Sequence, residues 1–278
     1  DDFAGDSFGD SVGIDSDGVT LAIGAGNRGT GGIVRVYTLS EADSDRQITW
    51  QHDATLQATK TDSFSDKFGG NLSFRGGALV VGAMKENVFD QVSGAAYVFE
   101  QINGTWTLLE KLLPPETETG YGFEFGNAVD VDESAQTIVV GSWKNSSPDG
   151  RVEVMGRAYV FVRDGDTWRI QAKLAPEGES VEESRRFGSS VAISGDGSTI
   201  LVGASRHDDK AGAVFEFIRQ GVTWSQVGKI VPPGLYKNNQ FGNEMSFDEA
   251  TGAALIGEFG DTDAGGEDAG AAWLIDIC

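Results

Sequence analysis

The chain has 278 residues, 43 of them acidic against 21 basic, and its formal charge of −22 would repel a phosphate backbone or an anionic membrane surface. The 39 glycines beside only 6 prolines indicate a turn-rich globular chain and not a linker. A single cysteine, Cys278, excludes an internal disulfide, and apolar runs such as Ala78 to Ala83 are far too short to span a bilayer, so neither nucleic acid nor membrane insertion by this domain is expected.

In chain order, the dipeptide Phe-Gly recurs at Phe8, Phe68, Phe125, Phe187 and Phe241, and each begins the same pattern. A first strand follows in which bulky residues alternate with small ones: Val12 and Ile14, Leu72 and Phe74, Val129 and Val131, Val191 and Ile193, Met245 and Phe247. Its parity puts all the bulky side chains on one face. After a tight turn ("DSDG", "RGG", "SGDG") comes a run apolar on both faces, ending at Gly24, Gly82, Gly141, Gly203 or Gly257. Such a strand must be covered on both sides.

A variable loop then leads to a further glycine (Gly32, Gly94, Gly156, Gly212, Gly270) and a third strand bearing aromatics: Tyr37, Tyr97 and Phe99, Tyr159 and Phe161, Phe215 and Phe217, Trp273. The fourth strand starts at Trp50, Trp106, Trp168 or Trp224 and closes on an aliphatic residue six positions later. The fifth unit stops after its third strand. Repeated antiparallel four-stranded units with no helical pattern between them predict an all-β fold, a five-bladed β-propeller whose last blade is three-stranded. Residues 1–278 then form one domain, with blades starting near 8, 68, 125, 187 and 241, and five Phe-Gly units lead us to expect a ring closed by five, the alternative being part of a larger ring.

The segments "FGSSVAISGDGSTILVGAS", "FGNAVDVDESAQTIVVGS" and "FGDSVGIDSDGVTLAIGA" resemble FG-GAP repeats, the blade units of integrin α-subunit propellers and of many extracellular proteins. The resemblance covers all five units and implies a propeller whose loop face binds ligand. Two departures stand out: integrin propellers have seven blades, and their repeats commonly carry a calcium loop between the first two strands. Here that interval is too short to circle an ion with six to eight oxygens, so the family's calcium sites do not carry over. Asp15 and Asp17, and the acids of "DVDES" at 130–134, read as turn formers.

The loops after each second strand vary, and an antiparallel blade places them on the same rim as the links between blades. A rigid ring presenting variable loops is a natural recognition surface. The residues there that combine reach with an aromatic ring or a charge are Arg28, Lys85, Tyr121, Trp143, Arg206, His207 and Tyr236, the expected ligand contacts. The acids Asp261, Asp263, Glu267 and Asp268 lie close together and are the candidate calcium ligands. At the inner-strand starts, Ser11, Asn71, Ala128, Ser190 and Glu244 are expected to line the central channel. Three sequons lean towards secretion: Asn71 falls on an inner strand, which leaves Asn103 and Asn145 as the candidate glycosylation sites.

The sequence has no His-x-x-x-His pair, no pair of cysteines and no P-loop. The expected function is a non-catalytic extracellular or cell-surface recognition or adhesion domain that binds a protein or glycan through the loop face and has no resident cofactor. Within that reading a lectin would stack sugar on Trp143. Two alternatives compete with it: a propeller glycoside hydrolase using channel carboxylates such as Asp10 and Glu244, with Glu124 close to a Phe-Gly, and a purely structural spacer of a larger surface protein.

Overall fold

A computed structural model of the chain describes residues 5–28, 31–40, 49–59, 66–88, 91–115, 123–146, 152–153, 156–180, 185–235, 237–248, 251–260 and 270–277. Blade one is β1 (Phe8–Ile14), β2 (Thr20–Ala25), β3 (Ile33–Ser40) and β4 (Thr49–Leu56). Blade two is β5 (Phe68–Arg75), β6 (Ala78–Ala83), β9 (Ala95–Ile102) and β10 (Thr105–Leu112), with the small hairpin β7 (Asn87–Val88) and β8 (Gln91–Val92) in its loop. Blade three is β11 (Phe125–Val131), β12 (Thr137–Ser142), β15 (Arg157–Asp164) and β16 (Thr167–Leu174), with the hairpin β13 (Asn145–Ser146) and β14 (Val152–Glu153). Blade four is β17 (Phe187–Ile193), β18 (Thr199–Ala204), β19 (Ala213–Gln220) and β20 (Thr223–Ile230). Blade five has three strands, β21 (Phe241–Phe247), β22 (Ala253–Glu258) and β23 (Ala271–Asp276). Every pairing within a blade is antiparallel, and successive first strands lie side by side, β1 on β5, β5 on β11, β11 on β17 and β17 on β21.

The Phe-Gly dipeptide has a geometric cause. In all five blades the residue before the Phe has a left-handed φ (Ser7, Lys67, Glu124, Arg186, Gln240), and so does the Gly after it. In four of them the N–H two residues past the Phe donates back to the carbonyl of the residue before it, as Ser189 N does to Arg186 O at 3.0 Å. This is a four-residue turn with positive φ at its third position, which glycine adopts without steric cost. The Phe then drops under the aromatics of its own third strand: Phe68 meets Tyr97 edge-on at 5.3 Å, Phe125 meets Tyr159 at 5.5 Å and Phe187 meets Phe215 at 5.4 Å. All three Phe rings are fully buried.

Blades join through backbone. A side chain on Gly24, Gly82, Gly141 or Gly203 would collide with the carbonyl oxygen of the Phe-Gly glycine in the next blade, and one on Gly32, Gly94, Gly156 or Gly212 with the carbonyl of the Phe itself. Polar side chains latch the same junctions. Ser11 Oγ donates to Gly69 O, Asn71 Oδ1 accepts from Val129 N, Asn127 Nδ2 donates to Gly188 O, and Ser190 Oγ donates to Gly242 O, at 2.6–3.1 Å.

The expected closure of blade five on blade one is not made among the described residues. A Cβ built on Gly9 would meet nothing within 4 Å, and the nearest atoms to one on Gly257 or Gly270 are 3.6 and 3.4 Å away, so these sockets hold no neighbour. Val12 is 63% exposed, where its counterparts Leu72, Val129 and Val191 are buried; on the far side Leu274 is 72% exposed. The five blades stand around a shared axis, and among the described residues the faces bearing Val12 in blade one and Leu274 in blade five are uncovered. Five units supply four junctions, and a fifth would need the turn at Gly9 pressed into Gly257 and Gly270.

If these glycines exist for blade contact, Gly203→Ala should lower the unfolding free energy by about 2–3 kcal/mol through overpacking. Gly257→Ala should change it by less than about 1 kcal/mol. Denaturant unfolding midpoints of the two variants compare them directly; equal losses would break the link between glycine and junction.

Candidate functional site

The loop rim is fastened to the frame. Phe68 N donates to Gly31 O, Phe125 N to Ser93 O and Phe241 N to Ala211 O, each at 2.9 Å, so these three links are bonded to the loop of the blade before them. The residue preceding each Phe therefore has one backbone geometry and a different side chain in every blade: Ser7, Lys67, Glu124, Arg186, Gln240. Sequence variation at these places changes chemistry without moving the scaffold.

Of the expected ligand contacts, Trp143 is half-buried and is flanked by cations, with the Arg186 guanidinium 4.1 Å and the Lys144 ammonium 4.4 Å from its ring centre. Its ring faces are thus engaged by cation–π contacts and offer a sugar less stacking surface than a bare indole would. Arg206 is half-buried, and its Nε is buried with no hydrogen-bond partner. Arg28 is ion-paired to Asp6 at 3.7 Å. Lys85 is half-buried, its backbone N–H donating to Asp66 O. His207 turns inward: it is buried edge-on to Phe215, and its Nε2 donates to Glu179 Oε2 at 3.2 Å. An acceptor was present on the preceding link, so the ring serves the fold and not the solvent. Tyr121, Tyr236 and the acids Asp261, Asp263, Glu267 and Asp268 lie outside the described residues. Asn103 is exposed in its hairpin turn with φ 50°, and Asn145 opens β13.

What sequence reasoning missed is a gathering of cations between blades four and five. Arg185, Arg206, Lys210 and Lys237 line one cavity of about 360 Å³ together with Asp209 and Asn238. Asp209 pairs with Lys237 at 2.5 Å; among the described residues no carboxylate pairs with Arg185, Arg206 or Lys210. The loop that brings Lys210 there is a single turn, α1 (His207–Lys210), in which Asp208, Asp209 and Lys210 have φ of 44°, 54° and 71°. Left-handed φ is tolerable for aspartate and costly for lysine. Arg186 stands beside this group. Burial first, and then repulsion from Arg206, lowers its pKa, with Glu124 opposing both. The local signals for this site are the pair Arg185-Arg186 and the loop that carries both Arg206 and Lys210; these two segments and the link with Lys237 are brought together only by the fold.

The central channel is a smaller space of about 290 Å³, walled by first strands of all five blades. Asn71, Ala128, Ser190 and Glu244 line it as expected, whereas Ser11 is spent on Gly69 O and Asp10 is not on the wall. Asp130, on the wall, is buried and ties three blades together: it accepts from Ser73 Oγ at 2.6 Å, from its neighbour Val131 N at 3.0 Å and from Ile193 N at 2.8 Å, with Arg75 at 4.0 Å. Burial pushes its carboxyl pKa up, opposed by Arg75 and these donors. Around the opposite rim, Asp17 accepts from Val19 N and Thr20 N, Asp132 from Gln136 N and Thr137 N, and Asp196 from Ser194 and Ser198. These acids cap their own turns. Among the described residues no group of three or more His, Cys, Asp or Glu is arranged to hold a metal ion.

Glu179 anchors the rim below the cationic loop. Burial alone would raise its pKa, but the hydrogen bonds from Lys229 and His207 outweigh that and lower it. A carboxylate with a depressed folded pKa stabilises above its unfolded value of about 4.3, and that contribution is lost as pH falls through the folded value. Glu179→Gln should therefore cost about 1–3 kcal/mol at pH 7 and almost nothing at pH 3. Urea unfolding of both proteins at the two pH values checks this; a loss that persists at pH 3 would mean that shape, not charge, is what Glu179 supplies.

The FG-GAP repeat family matches residues 168–217 and 224–275, the end of blade three through blade five. None of the curated proteins compared with it matches the chain. Blades one to three repeat the turn and the socket glycines of the matched region, and blades two and three its buried aromatic layer. The chain is a β-propeller whose last blades match the FG-GAP repeat family and whose earlier blades share their frame, which fits an FG-GAP repeat β-propeller.

Proposed function

We propose that this propeller is a non-catalytic recognition module, secreted or displayed at a cell surface, that binds a protein or glycan through its loop rim. The observation that carries the reading is the contrast between the two sets of residues. Junction glycines, Phe-Gly turns and buried aromatics repeat from blade to blade, while the side chains fixed on the rim at equivalent positions differ in charge, size and polarity. A repeated frame with unrepeated rim chemistry suits binding. A single reaction centre would call for convergent titratable groups in one cleft, and in the channel Asp130 is already committed to three blades.

Labelled protein applied to a glycan array and to intact cells, with and without protease treatment of the cells, tests the reading. Binding should appear on the array or at protease-sensitive sites. It should fall at least tenfold when the β7–β8 hairpin is replaced by a Gly-Ser turn or when Lys85 and Arg206 become Gln, and stay unchanged when the opposite rim is altered at Asn103 and Gly104. Binding that follows the opposite rim, or none on either surface, would favour a structural spacer. Hydrolysis of an arrayed glycan would favour the glycosidase.

A further inference from the structure

A chain of charge −22 has placed five of its 21 basic residues, Arg185, Arg186, Arg206, Lys210 and Lys237, around one spot on the rim. Like charges held together destabilise a fold unless something opposes them. Among the described residues one carboxylate, Asp209, lines the cavity against four cations, and it is paired with Lys237. Beyond a Debye length of about 8 Å the net charge of the molecule is screened, so a ligand at this cavity meets the local excess and not the global sign.

Resting on the recognition reading above, we propose that the cavity lined by Arg185, Arg206, Lys210 and Lys237 binds a tetrahedral oxyanion, a sulfate or phosphate ester carried by the module's ligand. Three features specify that class. The cations come from three separate segments, the link before β17, the β18–β19 loop and the link before β21, so they surround the cavity instead of forming one flat edge. A planar carboxylate offers two oxygens in one plane; a sulfate or phosphate offers oxygens in all directions and can meet several donors at once. Arg206 also brings a buried Nε–H with no protein acceptor, a donor whose desolvation is otherwise uncompensated. Finally, about 360 Å³ exceeds what one ion needs and falls within the range of small-ligand sites, leaving room for the sugar or side chain that bears the ester. Trp143 acts beside the site, holding Arg186 by its ring at 4.1 Å.

Calorimetric titration of the full chain at low ionic strength tests this, with glucose 6-sulfate, glucose 6-phosphate and glutarate as probes. The wild type should bind at least one ester with a Kd near or below about 1 mM, and the double variant Arg206→Gln/Lys210→Gln should weaken it tenfold or more, about 1.4 kcal/mol. Arg169→Gln, on the outer strand, should leave it unchanged. The tighter of the two esters names the source. If the double variant does not fold, Lys210→Gln alone, at an exposed position, should still cost threefold or more. Glutarate binding as tightly as the esters, no ester binding, or binding indifferent to both variants would overturn the proposal. Array or cell binding that survives Arg206→Gln/Lys210→Gln while ester binding is absent sinks the anion site alone. Ester binding without any array or cell binding sinks the recognition reading alone.

Discussion

Everything in this molecule depends on how closely the backbones of neighbouring blades approach. The Phe-Gly turn of one blade presses its two carbonyls against two glycines of the blade before it, one at the end of the second strand and one at the start of the third. No side chain fits between. The separation is set by main-chain atoms, which vary little with sequence, so the blade-to-blade geometry is the same at every junction. Apolar side chains fill the rest of the gap at the density of a protein interior. Leu72 and Phe74 of blade two meet Ala22, Val34 and Val36 of blade one in one cluster, and Val129, Val131 and Phe125 of blade three meet Ala78, Val80 and Val98 of blade two in the next. Each junction therefore sets a small, flat face of one blade on a bulky, aromatic face of the next.

The same turn that makes the junction also builds the rim. Its first residue is held at left-handed φ by the bond that closes the turn, at the point where the link from the preceding blade arrives. Arg186 occupies this position in blade four, and its guanidinium lies over Trp143 of blade three. A framework feature thus decides where a recognition residue stands. The strain in α1 acts alike: Gln240 N and Phe241 N bond to Lys210 O and Ala211 O, locking the left-handed turn to the next blade and fixing Lys210 beside Arg206.

Much of the fold was legible because it is periodic. Phe-Gly, the two socket glycines, the aromatic pair and the outer Trp recur at similar intervals, and the alternation of Val191 and Ile193 with Ser190 and Ala192 gives the face of the first strand directly. The reason for the glycines was not legible, since it lies in the next blade and not in the local chain. Ring closure was not legible on the same ground: five Phe-Gly units fix the number of blades, but only contacts across the gap show whether Gly9 has a partner, and it has none among the described residues. The rim was the least readable. His207 was expected to face solvent, yet Glu179, 28 positions earlier, draws it into the wall. Arg185, Arg206 and Lys237 share a cavity through tertiary convergence alone, which no spacing rule detects.

The acidic surface and the cationic pocket work together as discrimination. At long range a charge of −22 slows approach of any polyanion, and at the low ionic strengths where screening is weak it disfavours dense ones such as nucleic acid. At short range the Arg206 cavity attracts a single oxyanion. A ligand bearing one or a few esters on a neutral carrier feels little of the first effect and all of the second; a densely charged polymer feels both. Specificity of this kind comes from what the rest of the surface rejects as much as from what the pocket holds, and it gives an acidic chain a way to keep arginines and lysines that outnumber their carboxylates at one spot while disfavouring dense polyanions.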